Sequence, residues 1–412
     1  MGDLRLNGST SGAITITPPA VAGTNTLTLP ASTGTVALTD SSGNLSVAGN
    51  LTVTGNTTLT GALVPSSSFK RNRIINGNMV IDQRNAGASV TPATGDYTLD
   101  RWAARLTQAS KFSVQQNAGS VTPPAGFSNY LGVTSLSAYS VGATDYFAIQ
   151  QVIEGYNVAD LGWGLTSPQP ATLSFWVRSS LTGTFSGSLL NNAGTANYLY
   201  TYSIPAANTW TYITVSIPAS SISGTFTSTT NGFGINCYWS LGAGSSVSGS
   251  TTGSWNSSLY RSATGAVSVV GTSGATFYIT GVQFEVGTKA TPYEMQIYSD
   301  QLAQCQRYYS KSYDITTVPG TTVSGGAAWN YITMAASVGD IGVSIPFKIT
   351  MRTTPTVVWY SPDTGTSGVC GSAGGDKTAI SQYIGTSSIA VYINANNNNG
   401  QVRAHWTASA EL

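Results

Sequence analysis

The chain has 412 residues and a net charge of +1, with only 8% of residues charged against roughly 25% in ordinary soluble proteins. Ser, Thr, Asn and 46 glycines fill the deficit, while a 41% hydrophobic share excludes a charge-driven disordered chain. The 17 basic residues form no stripe able to neutralise phosphates, and no run of about 18 apolar residues occurs, which argues against nucleic-acid binding and membrane insertion. The start, Met1-Gly2-Asp3-Leu4-Arg5, lacks a secretory signal pattern, so export would have to follow another route. Cys237, Cys305 and Cys370 are odd in number and far apart, which fits three buried thiols better than a metal site or a disulfide framework.

Residues 1–70 are expected to form a thin β shaft. Short strand-like pieces, Ala13 to Thr17 and Thr26 to Leu29, precede a six-residue repeat marked by Gly43, Gly49, Gly55 and Gly61. Leu45, Leu51, Val47 and Val53 recur at strand spacing within it. A ribbon this narrow cannot bury its own apolar face, so neighbouring copies would have to cover it; a flexible linker is the alternative. Pro65-Ser66-Ser67-Ser68 reads as a boundary.

Residues 71–296 alternate as a β-sandwich does. Leu173, Phe175 and Val177 share one face, as do Ile213, Val215 and Ile217, with Trp210 and Tyr212 on the face opposite the latter. Phe233, Ile235, Cys237 and Trp239 also align. Tyr198, Tyr200 and Tyr202 share a face too, available either to a ligand or to a second sheet. Between Ala171 and Thr280 the only charges are Arg178 and Arg261, so this stretch offers no acid–base pair.

The period then changes. Tyr298, Leu302, Cys305 and Tyr309 form a helical stripe within 297–311, with Ser299 as the expected N-cap. Residues 312–412 return to strands at Trp329 to Met334, Ile341 to Ile349, Pro355 to Tyr360, Ile389 to Ile393 and Val402 to Trp406, enough for a small C-terminal sandwich. The expected fold is therefore all-β: shaft, central jelly-roll sandwich, one short connecting helix and a β tip.

Several motifs, in this order, resemble those of bacteriophage tail fibre and receptor-binding proteins. They are Asn72-Arg73-Ile74-Ile75-Asn76-Gly77-Asn78-Met79 with Asp82-Gln83-Arg84, then Asp100-Arg101-Trp102, then Ile279 to Gly287 with Ala290 to Glu294. Leu302 to Tyr309 and Met351 to Val357 complete the set. The central part is similar to jelly-roll carbohydrate-binding modules. The resemblance implies an intertwined homotrimer on a virion tail. Its N-terminal end would be held by a tail, baseplate or nozzle protein, and it would recognise a host surface polysaccharide or lipopolysaccharide without cofactor or metal. A departure is the helix start, Ser299-Asp300-Gln301, where such proteins carry a Gly-Glu-Glu type sequence.

Sugar sites need flat aromatic faces and side chains that match hydroxyls. The candidates are Trp255, Asn256, Tyr260 and Arg261 in a Gly/Ser/Thr-rich loop where little should bury them, and Trp329, Tyr360, Asp363 and Tyr383 in the tip. Each aromatic could equally be core, and Asp363 equally a turn residue. His405, the sole histidine, reads as structural. A glycan depolymerase would need two carboxylates roughly 5–9.5 Å apart. Asp82, Asp96, Asp100, Asp145, Glu154, Asp160 and Glu285 are available, but their spacing forces no pair. The expected function is thus non-enzymatic glycan attachment, with the main receptor site on the loops of 312–412 and a weaker one on the central sandwich; a structural spacer or a depolymerase are the alternatives.

Overall fold

The computed structural model describes residues 4–7, 10–16, 70–219 and 230–412, the side chains of 4–6, 14, 16, 331–339 and 395–400 excepted. The expected six-residue repeat lies outside the described residues. The chain divides into two compact units, Met1–Leu63 and Val64–Leu412. In the first, Leu4–Asn7 pairs antiparallel with Ala13–Ile16.

The second unit opens with a sandwich of two antiparallel sheets. Seven strands run in the order Trp255–Asn256, Asn197–Ile204, Gly183–Asn191, Phe233–Ala243, Tyr146–Glu154, Trp102–Leu106 and Tyr97–Leu99. Five face them: Thr211–Ile217, Ala171–Ser179, Thr276–Val286, Leu131–Ser135 and Phe112–Gln116. The chain crosses repeatedly between the sheets, as a jelly roll requires. The alternating triplets Leu173, Phe175, Val177 and Ile213, Val215, Ile217 all enter the shared core. So do Tyr198, Tyr200 and Tyr202, where Tyr202 stacks on Phe185 with ring centroids 5.9 Å apart. These tyrosines pack against the second sheet and offer no ligand face.

The helix spans Tyr298–Gln306 and is the only α-helix among the described residues. Its N-cap is Ile297, not Ser299, and no side chain caps it, because the turn begins two residues earlier than the sequence signal placed it. Tyr309 likewise leaves the expected stripe, since it opens the strand Tyr309–Lys311. The buried face holds Cys305, which packs with Ile75, Ile81 and Tyr308.

In the C-terminal part, the four expected segments around Trp329, Ile341, Ile389 and Val402 merge into two long strands, Ala328–Pro346 and Ser388–Ser409. They pair antiparallel from Ala328↔Ala404 to Pro346↔Ser388, with register shifts between Thr333 and Asp340. One end of Ser388–Ser409 also pairs with Tyr309–Lys311 and Thr356–Tyr360, the other with Ile380–Gln382. A strand that changes neighbours in this way can serve two layers. Ile341, Val391, Val402, Trp359 and Trp406 form the resulting second core.

Buried charges tie this part to the sandwich. Arg101 pairs with Glu411 and donates to the Val152 carbonyl. Arg307 Nη2 lies 2.6 Å from Glu154, which also accepts from the Tyr308 hydroxyl. Asp100 and Arg101, adjacent in the sequence, do not pair with each other. Arg101 sits in a turn at φ 71°, and Asp100 accepts two bonds from Gln83 instead.

Candidate functional site

An open groove of about 510 Å³ lies on the outer face of the five-stranded sheet. Its floor is Trp176 and Tyr212, directly opposite each other in register, with ring centroids 5.2 Å apart. Alternation explains their position. Each is flanked by inward residues or loop, so each points away from the core, and Tyr212 is 42% exposed.

Two segments wall the groove. The first is 124–127, where Gly126 at φ 89° takes the position that a type II turn reserves for glycine. The Phe127 N–H closes that turn on the Pro124 carbonyl at 3.0 Å. The loop is pinned over the sheet by Trp210 Nε1 donating to the Thr122 carbonyl and Thr280 Oγ1 to the Asn129 carbonyl. The second wall is 290–295, whose Tyr293 meets Phe127 edge-on at 5.1 Å. Thr291 is fixed by donating its N–H and hydroxyl to Glu285.

Gly281 sits beneath both walls, at φ 62° in a register shift of Thr276–Val286. A Cβ there would lie 2.6 Å from Phe127 and 3.1 Å from Trp176, so only glycine permits this bulge and this approach.

The motif residues of 72–79 and 283–294 turn out to be staples behind the groove. Asn72 accepts from the Phe284 N–H and donates to the Val282 carbonyl, and Gly77 lies against that same carbonyl. Glu294 accepts from the N–H groups of Lys70 and Asn72. Asn76 bridges Ile81 and the Asp100 carbonyl.

The residues singled out in the sequence fall in several places. Trp255 is half-buried, contrary to expectation, because it packs edge-on against Trp163 at 5.3 Å and against Tyr198 at 5.6 Å. Asn256 donates to the Thr251 and Ser254 carbonyls. The Tyr260 carbonyl accepts from Asn197, and the Arg261 guanidinium lies over the rings of Tyr146 and Tyr238 at 4.4 and 5.0 Å.

In the tip, Asp363 holds Arg403 at 2.7 Å, and Arg403 is the register partner of Trp329, which is 65% exposed. Tyr360 meets Tyr313 edge-on and is the register partner of His405, while Tyr383 lies apart. Tyr383, 84% exposed at φ 48°, lines a shallow groove of about 380 Å³ with Gln382, Ser344 and Tyr392. The four tip candidates therefore do not converge on one site.

Sequence reasoning noted Tyr212 as outward but missed the groove. The readable signal was Trp176, a large aromatic at an outward position between two core residues.

The carboxylates available for acid–base chemistry are committed to structural bonds. Asp82 accepts from the N–H groups of Arg84, Asn85 and Gly87, and Asp96 from that of Ala93. Asp145 is held by Thr107 and Tyr139, which keep it below the usual carboxylate range. Asp160 pairs with Arg73 at 2.5 Å, and Glu154 and Glu285 are engaged as above. Burial pushes Asp100 up to about 6. His405 is enclosed, with Nε2 donating to the Val323 carbonyl, Nδ1 at Ser312 and its ring stacked on Tyr313 at 3.8 Å, and burial lowers its pKa. The three cysteines are buried and free.

No protein-family profile and no curated protein matches the sequence. Solved structures overlap part of the chain at low similarity. The enzymatically active domain of tailspike protein 4 of bacteriophage CBA120 is 12% identical with a TM-score of 0.31, covering 52% of this chain and 21% of the tailspike chain. A putative sugar binding protein from Bacteroides thetaiotaomicron gives 13%, 0.28, 53% and 100%. The family 11 carbohydrate-binding module of a cellulosomal cellulase from Clostridium thermocellum gives 13%, 0.26, 50% and 98%.

Proposed function

We propose that this chain is a non-enzymatic receptor-binding subunit of a bacteriophage tail fibre that attaches the virion to a host surface glycan through the sandwich groove. The observation that carries the binding role is the Trp176–Tyr212 pair. Two adjacent aromatic rings on an exposed sheet face, walled by Phe127 and Tyr293, form the platform on which pyranose C–H faces stack. The commitment of the carboxylates considered above to structural bonds supports binding without cleavage. The tail-fibre assignment rests on the ordered motifs from Asn72 to Val357. Assembly as a homotrimer is supported by the shaft repeat and by the exposed apolar side chains Ile297 and Tyr298. Three copies would turn weak glycan contacts into firm attachment by effective concentration. The tip, with Tyr383, is then a secondary contact.

The test is retention of the full chain and of Trp176→Ala on immobilised bacterial surface polysaccharides and lipopolysaccharides. The proposal expects the wild type to be held by at least one of them and the variant to be lost. Equal retention of both, or of neither, counts against it, the latter favouring a structural spacer.

A further inference from the structure

We infer that the groove takes an uncharged glycan bearing methyl groups, that is, acetylated or 6-deoxy sugars, rather than a hydroxyl-rich or acidic one. This rests on the reading of the groove as a glycan site.

No charged side chain lines the groove. Its walls instead present Ala125, Phe127, Ala290, Pro292 and Met295. The lining contains three hydroxyl side chains, and two are already spent. Thr291 Oγ1 donates to Glu285 and accepts from Gln283 Nε2. The Tyr293 hydroxyl is buried, which raises its pKa, and is turned toward Asn72 and Asn78 behind the wall. Among the described residues this leaves the Tyr212 hydroxyl and the Trp176 indole N–H as the side-chain polar atoms free to meet a ligand.

Sugar hydroxyls turned toward the apolar walls would find no side-chain partner there, and each polar group so covered weakens binding. A carboxylated sugar would meet no cation. Replacing a hydroxymethyl by a methyl removes an unmet polar group and supplies a methyl to the apolar wall; an acetyl cap on a hydroxyl or amine also supplies a methyl, and its carbonyl can accept from the Tyr212 hydroxyl or the Trp176 indole N–H. The same logic gives two rings on Trp176 and Tyr212 for the sugar faces and an aliphatic rim for the substituents. The volume, about 510 Å³, lies in the range of small-ligand sites.

The experiment is calorimetric titration of the full chain with defined oligosaccharides: N-acetylglucosamine oligomers and rhamnose oligomers as the methyl-bearing arms, against cello-oligosaccharides and galacturonate oligomers. Each is repeated on Tyr212→Ala and Met295→Asp, exposed positions whose substitution leaves the core intact, with folding checked by thermal unfolding. Expected is at least tenfold tighter binding of one or both methyl-bearing arms, weakened at least tenfold by either substitution. The two arms separate acetyl from deoxy recognition.

Cello-oligosaccharide or galacturonate binding as tight, and equally sensitive to Tyr212→Ala, overturns the ligand class while leaving the glycan groove standing. Binding indifferent to both substitutions overturns the groove itself. Self-association abolished by Met295→Asp, with no sugar bound, would make the occupant a second copy and overturn both.

Discussion

Replacing Glu411 by Ala tests the joint between sandwich and tip. The carboxylate pairs with two arginines, Arg84 at 2.7 Å and Arg101. Arg101 is 1% exposed and Glu411 7%. Without Glu411 the Arg101 guanidinium keeps only the Val152 carbonyl and the Tyr308 ring, 3.6 Å below it. Removing one member of a buried pair costs about 3–5 kcal/mol, because a charge is left in a dry site. An internal control exists in Asp160, 52% exposed and paired with a half-exposed Arg73, where Asp160→Ala should cost no more than about 1 kcal/mol. Urea unfolding of both variants, read by tryptophan fluorescence and by far-UV circular dichroism, gives the comparison. Glu411→Ala costing no more than Asp160→Ala would refute the reasoning, since burial would then not decide the value of the pair.

Other outcomes follow from the same geometry. Gly281→Val forces a β-branched side chain into φ 62° and onto Phe127, so it should cost about 1–3 kcal/mol or more and abolish glycan retention; unchanged retention would show that the wall does not matter. Asp100, raised by burial to about 6 from an ordinary value near 3.9, binds more protons folded than unfolded between about pH 4 and 6. Its contribution therefore makes stability rise on acidification through that window, by on the order of 3 kcal/mol. His405 acts in the opposite sense, since its neutral form is favoured, so the effect is read as the difference between wild type and Asp100→Asn; no difference between pH 7 and 5 would contradict it. A fragment of 71–296 leaves Glu154 without Arg307 and Arg101 without Glu411, and should be markedly less stable than the full chain in urea. Incubation with extracted capsule or lipopolysaccharide should release no new reducing ends, and sustained release would require a carboxylate now assigned to structure.

The strand faces were legible because a period of two is a local property. Leu173 to Val177 and Ile213 to Ile217 needed no partner to declare which side was apolar. The long strands were not, since Asp340 and the asparagines 396–399 fall outside the expected strand segments while ladder pairing carries the backbone through them. The motif from Asn72 to Met79 was visible as a motif, yet its work was not, because Asn72 meets Val282 and Phe284 some 210 residues away. The same distance hid the groove. Its parts come from 125–127, 176, 212, 281 and 290–295, and only folding brings them together. Trp255 misled for the converse reason, as a Gly/Ser/Thr-rich loop said nothing of the Trp163 ring that covers it.

The most direct test of the account is a crystal structure of the full chain with a retained oligosaccharide bound. The account predicts sugar density stacked on Trp176 and Tyr212, between Phe127 and Tyr293, with the tip groove at Tyr383 empty or less occupied. Density confined to Tyr383, Trp329 or the Trp255–Arg261 corner, with the sheet face bare, would contradict it.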